Sequence, residues 1–218
     1  MRCLEYLATD KGVIFAYNSE VMGIEKIKDG YKIIARDRGD DQIEIFSKVA
    51  INSAGLNSDK IAQAAGIDIE KSGYRLHYSK GEYFRVKAKK SSFIKRLIYP
   101  TPEEGSLGIH TVIDLKGELK LGPNAFYVDN VNYDVENSHA AEFYESAKRY
   151  LKFIEPDDLS PDISGIRPKL QAKGEPSRDF VISEEEEKGY PGLINLIGIE
   201  SPGLTASLAI AEYVGNMI

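Results

Sequence analysis

The stretch that most constrains the fold lies near the C-terminus. Residues 193–214 read LINLIGIESPGLTASLAIAEYV: an apolar run, then Gly198-Ile199-Glu200-Ser201-Pro202-Gly203, then a helix-like segment built largely of Ala, Ser, Thr, Leu and Ile. The first turn of a helix carries unpaired N–H groups and about half a positive charge. Small residues there let the backbone approach whatever lies against it. The pattern predicts a strand, a tight turn and a helix whose start faces something other than protein.

A related pattern occurs earlier. KVAINSAG is an apolar strand ending on Ser53-Ala54-Gly55, and NSDKIAQAAG is a helix capped by Asn57 or Ser58 and stopped by Gly66. A strand-to-helix turn of small residues can present N–H groups to an anion, which makes Ala54 and Gly55 candidates for such a contact. A plain tight turn needing Gly explains the local sequence equally well.

Between these two units the chain changes character. Residues 2–9 read as a helix with Gly12 as its stop, placed so early that the chain looks entered midway. GVIFAY, EVMGIEKI, YKIIARD and QIEIF follow as short β-type runs broken by KDG and RGDD. From about Gly73, tyrosine-rich alternating segments (YRLHYSKGEYFRVKA, RLIYPTP, LGIHTVID, GELKLGP) predict a β-sheet. A helix over 138–151 (SHAAEFYESAKRYL) follows, amphipathic through Ala141, Tyr144, Ala147 and Leu151. EPDDLSPDIS reads as a loop and SEEEEKGYPG as a solvated turn. GIRPKL, RDFVIS and GLINLIGI then lead back to the closing helix. The fold class is mixed α/β, with residues 1–72 and 163–218 in one domain and 73–162 inserted as a second.

The net charge of −6, without a basic stripe carrying aromatics, argues against nucleic acid. A lone Cys3 excludes an internal disulfide and fits a reducing, cytoplasmic setting. The final apolar stretch is broken by Glu212, and no segment reads as a signal peptide or membrane span.

GIESPG is no phosphate loop, because Leu204 and Thr205 stand where that motif requires Lys and Ser or Thr; the G-x-G-x-x-G fingerprint is missing too. His77, His110 and His139 are the only histidines, none at metal-ligand spacing, so no metal site is expected. His139 opens a helix and is expected to face solvent, while His110 sits on an alternating strand. Arg167, in GIRPKL, offers a planar fork suited to a carboxylate, or is a surface arginine. With no G-x-S-x-G elbow, nucleophilic hydrolysis has no support.

Taken together, VAINSAGLNSDKIAQAAGI, SKGEYFRV, LIYPTPEEGSLGIHTVIDLKGELKLGPNA and ISGIRPKLQAKGEPSRDFVI…GLINLIGIESPGLTASLAIAEYV closely resemble FAD-dependent L-2-hydroxyglutarate dehydrogenases. These belong to the wider glycine-oxidase and D-amino-acid-oxidase group. The resemblance covers the later part of such an enzyme, without its N-terminal dinucleotide-binding unit. It implies a partial FAD-binding domain of the D-amino-acid oxidase type with an inserted antiparallel β-sheet substrate domain. Gly198, Ile199, Glu200, Ser201, Pro202, Gly203, Leu204 and Thr205 would run past the flavin, with Ala54 and Gly55 as further cofactor contacts. Arg167 would hold the substrate's α-carboxylate, and His110 would accept the hydroxyl proton. His77, Lys80 and Tyr83 of HYSKGEY are the remaining substrate-side candidates; Lys80 stands where the family pattern has Arg, and His77 is the reserve base. The implied reaction is oxidation of a 2-hydroxy acid by hydride transfer to FAD. The competing readings are an amine oxidase using the same arginine, and a chain inactive without a separate N-terminal half.

Overall fold

The computed structural model describes residues 1–101 and 108–218, so the parts of the expected strands RLIYPTP and LGIHTVID that fall on 102–107 lie outside them. The described residues form two compact units: Met1–Tyr74 with Val181–Ile197 and Ala206–Ile218, and Arg75–Phe180 with Gly198–Thr205. The second unit therefore extends past the boundary expected at 162, which falls inside a strand.

The first unit begins with helix α1 (Arg2–Asp10), which ends where Gly12 takes a left-handed φ of +86°. None of its residues is buried. The run GVIFAY forms no strand; Val13, Ile14 and Tyr17 are exposed. Strands β1 (Glu20–Ile27), β2 (Gly30–Arg36) and β3 (Gln42–Ser47) make the expected antiparallel meander. Gly30 is required there, because its φ is +134° and a Cβ would sit 2.2 Å from the Ser47 carbonyl. Strand β4 (Ala50–Asn52) then leads through a short turn into helix α2 (Ser58–Ala64).

The second unit is built on β5 (His77–Val86), followed by a one-turn helix α3 (Ala88–Ser91). Around β5 lie β6 (His110–Ile113), β7 (Leu119–Gly122), β8 (Phe126–Val128) and, after helix α4 (Ala140–Ala147), β9 (Leu159–Lys169), in a five-stranded sheet. Side chains alternate across a strand, and this alternation divides β5 into two faces. Phe84 and Val86 pack with Leu119, Leu121, Phe143, Ala147 and Leu151 in the core, where the Phe84 and Phe143 rings are 4.6 Å apart. The helix thus turns Phe143 inward, where the sequence pattern had placed Ala141; Ala141 is exposed. Ser79, Gly81 and Tyr83 lie on the opposite face. β9 begins earlier than expected, inside EPDDLSPDIS, and carries Pro161 opposite Phe84 next to a register shift. A proline lacks the ladder N–H but is tolerated on a strand with one neighbour, and among the described residues β9 pairs with β5 alone.

The chain returns to the first unit through β10 (Val181–Glu185), β11 (Tyr190–Ile197) and α5 (Gly203–Gly215). β11 pairs parallel to β4, with Ile194 opposite Ile51, and β4 forms the edge of that sheet. Asn52 and Asn195 pin the pair: Asn52 Nδ2 donates to Asn195 Oδ1 at 2.8 Å and to the Ser58 carbonyl at 2.7 Å. Asn195 Nδ2 in turn donates to Glu185 Oε1, which also accepts from the Tyr74 hydroxyl. SEEEEKGYPG is therefore not a uniformly solvated turn. Glu185 is fully buried, its carboxylate completed by Lys188 Nζ at 2.6 Å. Asn52→Ala is expected to lower the unfolding free energy by about 1–3 kcal/mol, since it orphans buried acceptors. A urea-midpoint shift no larger than that of a surface change such as Gln63→Ala would refute it.

Candidate functional site

One cavity of the second unit brings together two of the side chains that the sequence singled out, His110 and Arg167. Ser79 lies opposite Arg167 in the β5–β9 pairing, and His110 opposite Gly122 in the β6–β7 pairing. A cavity of about 340 Å³ is lined by Ser79, Lys80, Gly81, Gly108, His110, Pro123, Asn124, Ala125, Arg167 and Lys169. His110 and Arg167 thus share a cavity, although they stand 57 residues apart in sequence.

The His110 ring is buried and stacks on Tyr99, with centroids 4.3 Å apart and planes 20° apart. Its Nδ1 lies 3.0 Å from the Gly108 carbonyl. A carbonyl only accepts, so this bond calls for the proton on Nδ1 and leaves Nε2 with a lone pair in the neutral ring. That is the tautomer a proton acceptor needs. Burial pushes the Tyr83 phenol above its ordinary pKa, against the opposing pull of the Arg167 cation, and so favours the neutral phenol.

Arg167 has a half-exposed side chain, 48% accessible, with Nη1 3.5 Å from Glu200 Oε2. Lys169, two residues along the strand, holds Glu200 Oε1 at 2.5 Å. His77 lies opposite Lys169 at the start of β5 and, by alternation, shares the Ser79 side. Lys80 borders the cavity, but its ammonium is buried against Glu82 Oε1 at 3.2 Å, bonded to the Asp134 carbonyl and 6.0 Å above the Phe126 ring. The cation that the sequence offered for a distal carboxylate is thereby occupied by the protein itself.

His139 does not simply face solvent. Its Nδ1 is 2.6 Å from Oε2 of the fully buried Glu82, and its ring meets Phe126 edge-on. Asn124 Oδ1 accepts the Glu82 backbone N–H at 2.8 Å. The signal for this cluster was present in the alternation: Lys80 and Glu82 occupy positions in register with Phe84 and Val86, a charged pair on an apolar face.

In the second unit, Gly198 has φ +70° and a Cβ there would come within 2.7 Å of Leu170; a Cβ on Gly203 would meet Ile199 Cγ2 at 2.3 Å. Internal packing thus accounts for both glycines. It does not account for Ser201, Pro202, Leu204 and Thr205, all exposed, with Leu204 71% accessible. Gly203 N–H donates to the Glu200 carbonyl at 2.6 Å, so only the N–H groups after it in the first turn lack intrahelical partners that an anionic ring edge could replace. In the first unit, Ser53, Ala54 and Gly55 are exposed, and Ala54, Asn57 and Lys60 line a cavity of about 810 Å³. Each turn, taken by itself, is exposed backbone of small residues that a flavin nucleotide could approach. The glycine fingerprint that would hold its pyrophosphate is not in this sequence. Among the described residues no group of His, Cys, Asp and Glu is arranged to hold a metal ion, and no helix is long and apolar enough to cross a membrane.

The sequence pattern of the family described as FAD dependent oxidoreductase matches residues 1–217. The mitochondrial L-2-hydroxyglutarate dehydrogenase of Arabidopsis thaliana is 36% identical over 96% of this chain and 47% of its own length. A glycerol 3-phosphate dehydrogenase of Caloramator mitchellensis is 28% identical over 97% of this chain and 41% of its own. Among solved structures, the FAD-bound L-α-glycerophosphate oxidase of Mycoplasma pneumoniae superposes with a TM-score of 0.79 at 22% identity, over 99% of this chain and 54% of that one. The chain spans about half the length of the curated relatives it matches.

Proposed function

This chain belongs to the FAD-dependent oxidoreductase family, and from that premise we propose that it carries the substrate unit and part of the cofactor unit of a 2-hydroxy-acid dehydrogenase. Its substrate would be of the L-2-hydroxyglutarate kind. The observation that carries the reading is the shared cavity of His110 and Arg167, combined with the similarity to L-2-hydroxyglutarate dehydrogenase. Bound FAD supplies the hydride acceptor. Arg167 holds the substrate's carboxylate in its fork, and His110 Nε2 takes the hydroxyl proton as the carbonyl forms. Tyr83 and His77 border the same sheet face as substrate contacts. The exposed turn 201–205 is a cofactor contact in this reading, as is, in the other unit, the Ala54-Gly55 turn.

A dinucleotide-binding half, preceding this chain or supplied by a separate polypeptide, completes the enzyme in this reading. Among the described residues β4 is paired on one side only, and this edge with the exposed Ile51 supports it, since a parallel sheet edge and apolar surface of this kind call for a partner. A cytoplasmic setting accords with the single, exposed Cys3.

The chain alone is expected to bind FAD weakly or not at all, because the pyrophosphate cradle lies elsewhere. Co-expression with a half bearing G-x-G-x-x-G should yield a flavin spectrum and bleaching by 2-hydroxyglutarate. Stoichiometric FAD on the isolated chain would refute the division of labour. Bleaching by a D-amino acid or by glycerol 3-phosphate in preference to the hydroxy acid would refute the substrate class.

A further inference from the structure

Three charged groups meet at the end of β9: Arg167, Lys169 and the carboxylate of Glu200. Their arrangement is unequal. Glu200 Oε1 is bonded to Lys169 Nζ at 2.5 Å, while Oε2 stands 3.5 Å from Arg167 Nη1 and, although buried, makes no hydrogen bond. A buried carboxylate oxygen without a donor is costly, and a guanidinium is the best bidentate partner a carboxylate can find. Glu200 would therefore close on Arg167 were it not held by Lys169. Such a pair would fill the fork with the protein's own carboxylate.

Resting on the carboxylate-anchoring role proposed for Arg167, we infer that Lys169 is a positioning residue: it sequesters Glu200 and so keeps the Arg167 guanidinium free for an incoming carboxylate. The charges agree with this division. Glu200 lies nearer Lys169, at 2.5 Å, than Arg167, at 3.5 Å, and the three groups together carry one net positive charge, matched to one incoming carboxylate. The side-chain accessibilities run the same way, 20% for Lys169 and 13% for Glu200 against 48% for Arg167.

The test uses this chain and a simple carboxylate, lactate, titrated while the His110 ring-proton shifts are followed by NMR. Lys169→Met should weaken lactate binding about 10- to 100-fold, the scale of a charge-assisted hydrogen bond. Glu200→Gln should bind lactate at least as tightly as the parent chain. The double variant Lys169→Met/Glu200→Gln should recover the lost affinity. A merely structural strap between the turn and β9 would be broken in the double variant too, so failure of rescue, with circular dichroism unchanged, would overturn the inference. Weaker binding by Glu200→Gln would also overturn it, and that variant stands in should Lys169→Met not fold. Arg167→Met separates the two ideas. If it binds lactate as the parent does, or if the parent does not bind, the anchor reading itself fails; if it alone loses binding and rescue is absent, only the role of Lys169 fails.

Discussion

Arg167→Lys, in the enzyme completed by its dinucleotide-binding half, is expected to raise KM for the hydroxy acid about 10- to 100-fold while leaving FAD affinity unchanged. Lysine keeps the charge but loses the fork, so one of two parallel hydrogen bonds to the carboxylate is forfeited, at about 1.5–3 kcal/mol. The carboxylate is unchanged during hydride transfer, so the contact stabilises bound substrate and transition state alike. Its loss then falls on KM rather than kcat. The side chain is half-exposed on an edge strand, where a lysine can be accommodated without repacking. Steady-state kinetics with the flavin spectrum as a control provide the measurement. An unchanged KM would return Arg167 to the status of a surface arginine that happens to border a cavity.

Some of the candidate site's geometry was legible from sequence, and the part that was not has a physical reason. Strand-to-helix turns built of small residues are local signals, and both KVAINSAG and GIESPG lie on such turns. Alternation along a strand is local as well, so the candidacy of His110 could be stated before any pairing was known. What alternation cannot supply is the register between strands, which decides that Ser79 faces Arg167 and that His110 faces Gly122. The larger surprises are buried charges. Lys80, Glu82 and His139 form one cluster, and Tyr74, Glu185, Lys188 and Asn195 form another. In each, a charge is tolerated inside because partners distant in sequence complete it. Charge-rich strings such as SEEEEK look solvated until those partners are placed. The run GVIFAY erred in the opposite direction: its β-type composition found no neighbouring strand. Pro161 inside β9 was legible as a breaker, but not as a breaker on a strand with a single neighbour.

His110→Ala, in the completed enzyme, is expected to lower kcat by about 10²–10⁴-fold, the usual value of a positioned general base. A 2-hydroxy acid must lose its hydroxyl proton as hydride leaves Cα, so an acceptor has to stand within hydrogen-bond reach of that oxygen. The carboxylate end is assigned to Arg167 on β9. The acceptor must then come from another strand bordering the same cavity, and His110 on β6 meets this condition. Its Nδ1 bond to the Gly108 carbonyl and its stacking on Tyr99 fix the ring and leave Nε2 to accept. The alternative acceptor is His77, on the same sheet face at the start of β5. His139 is set aside because Glu82 already holds its Nδ1. Comparing His110→Ala with His77→Ala therefore decides the base. The expected result is a large kcat loss in the first with FAD binding intact and a small change in the second. If the two variants exchange these behaviours, the proton goes to His77 and His110 is left as the packed partner of Tyr99.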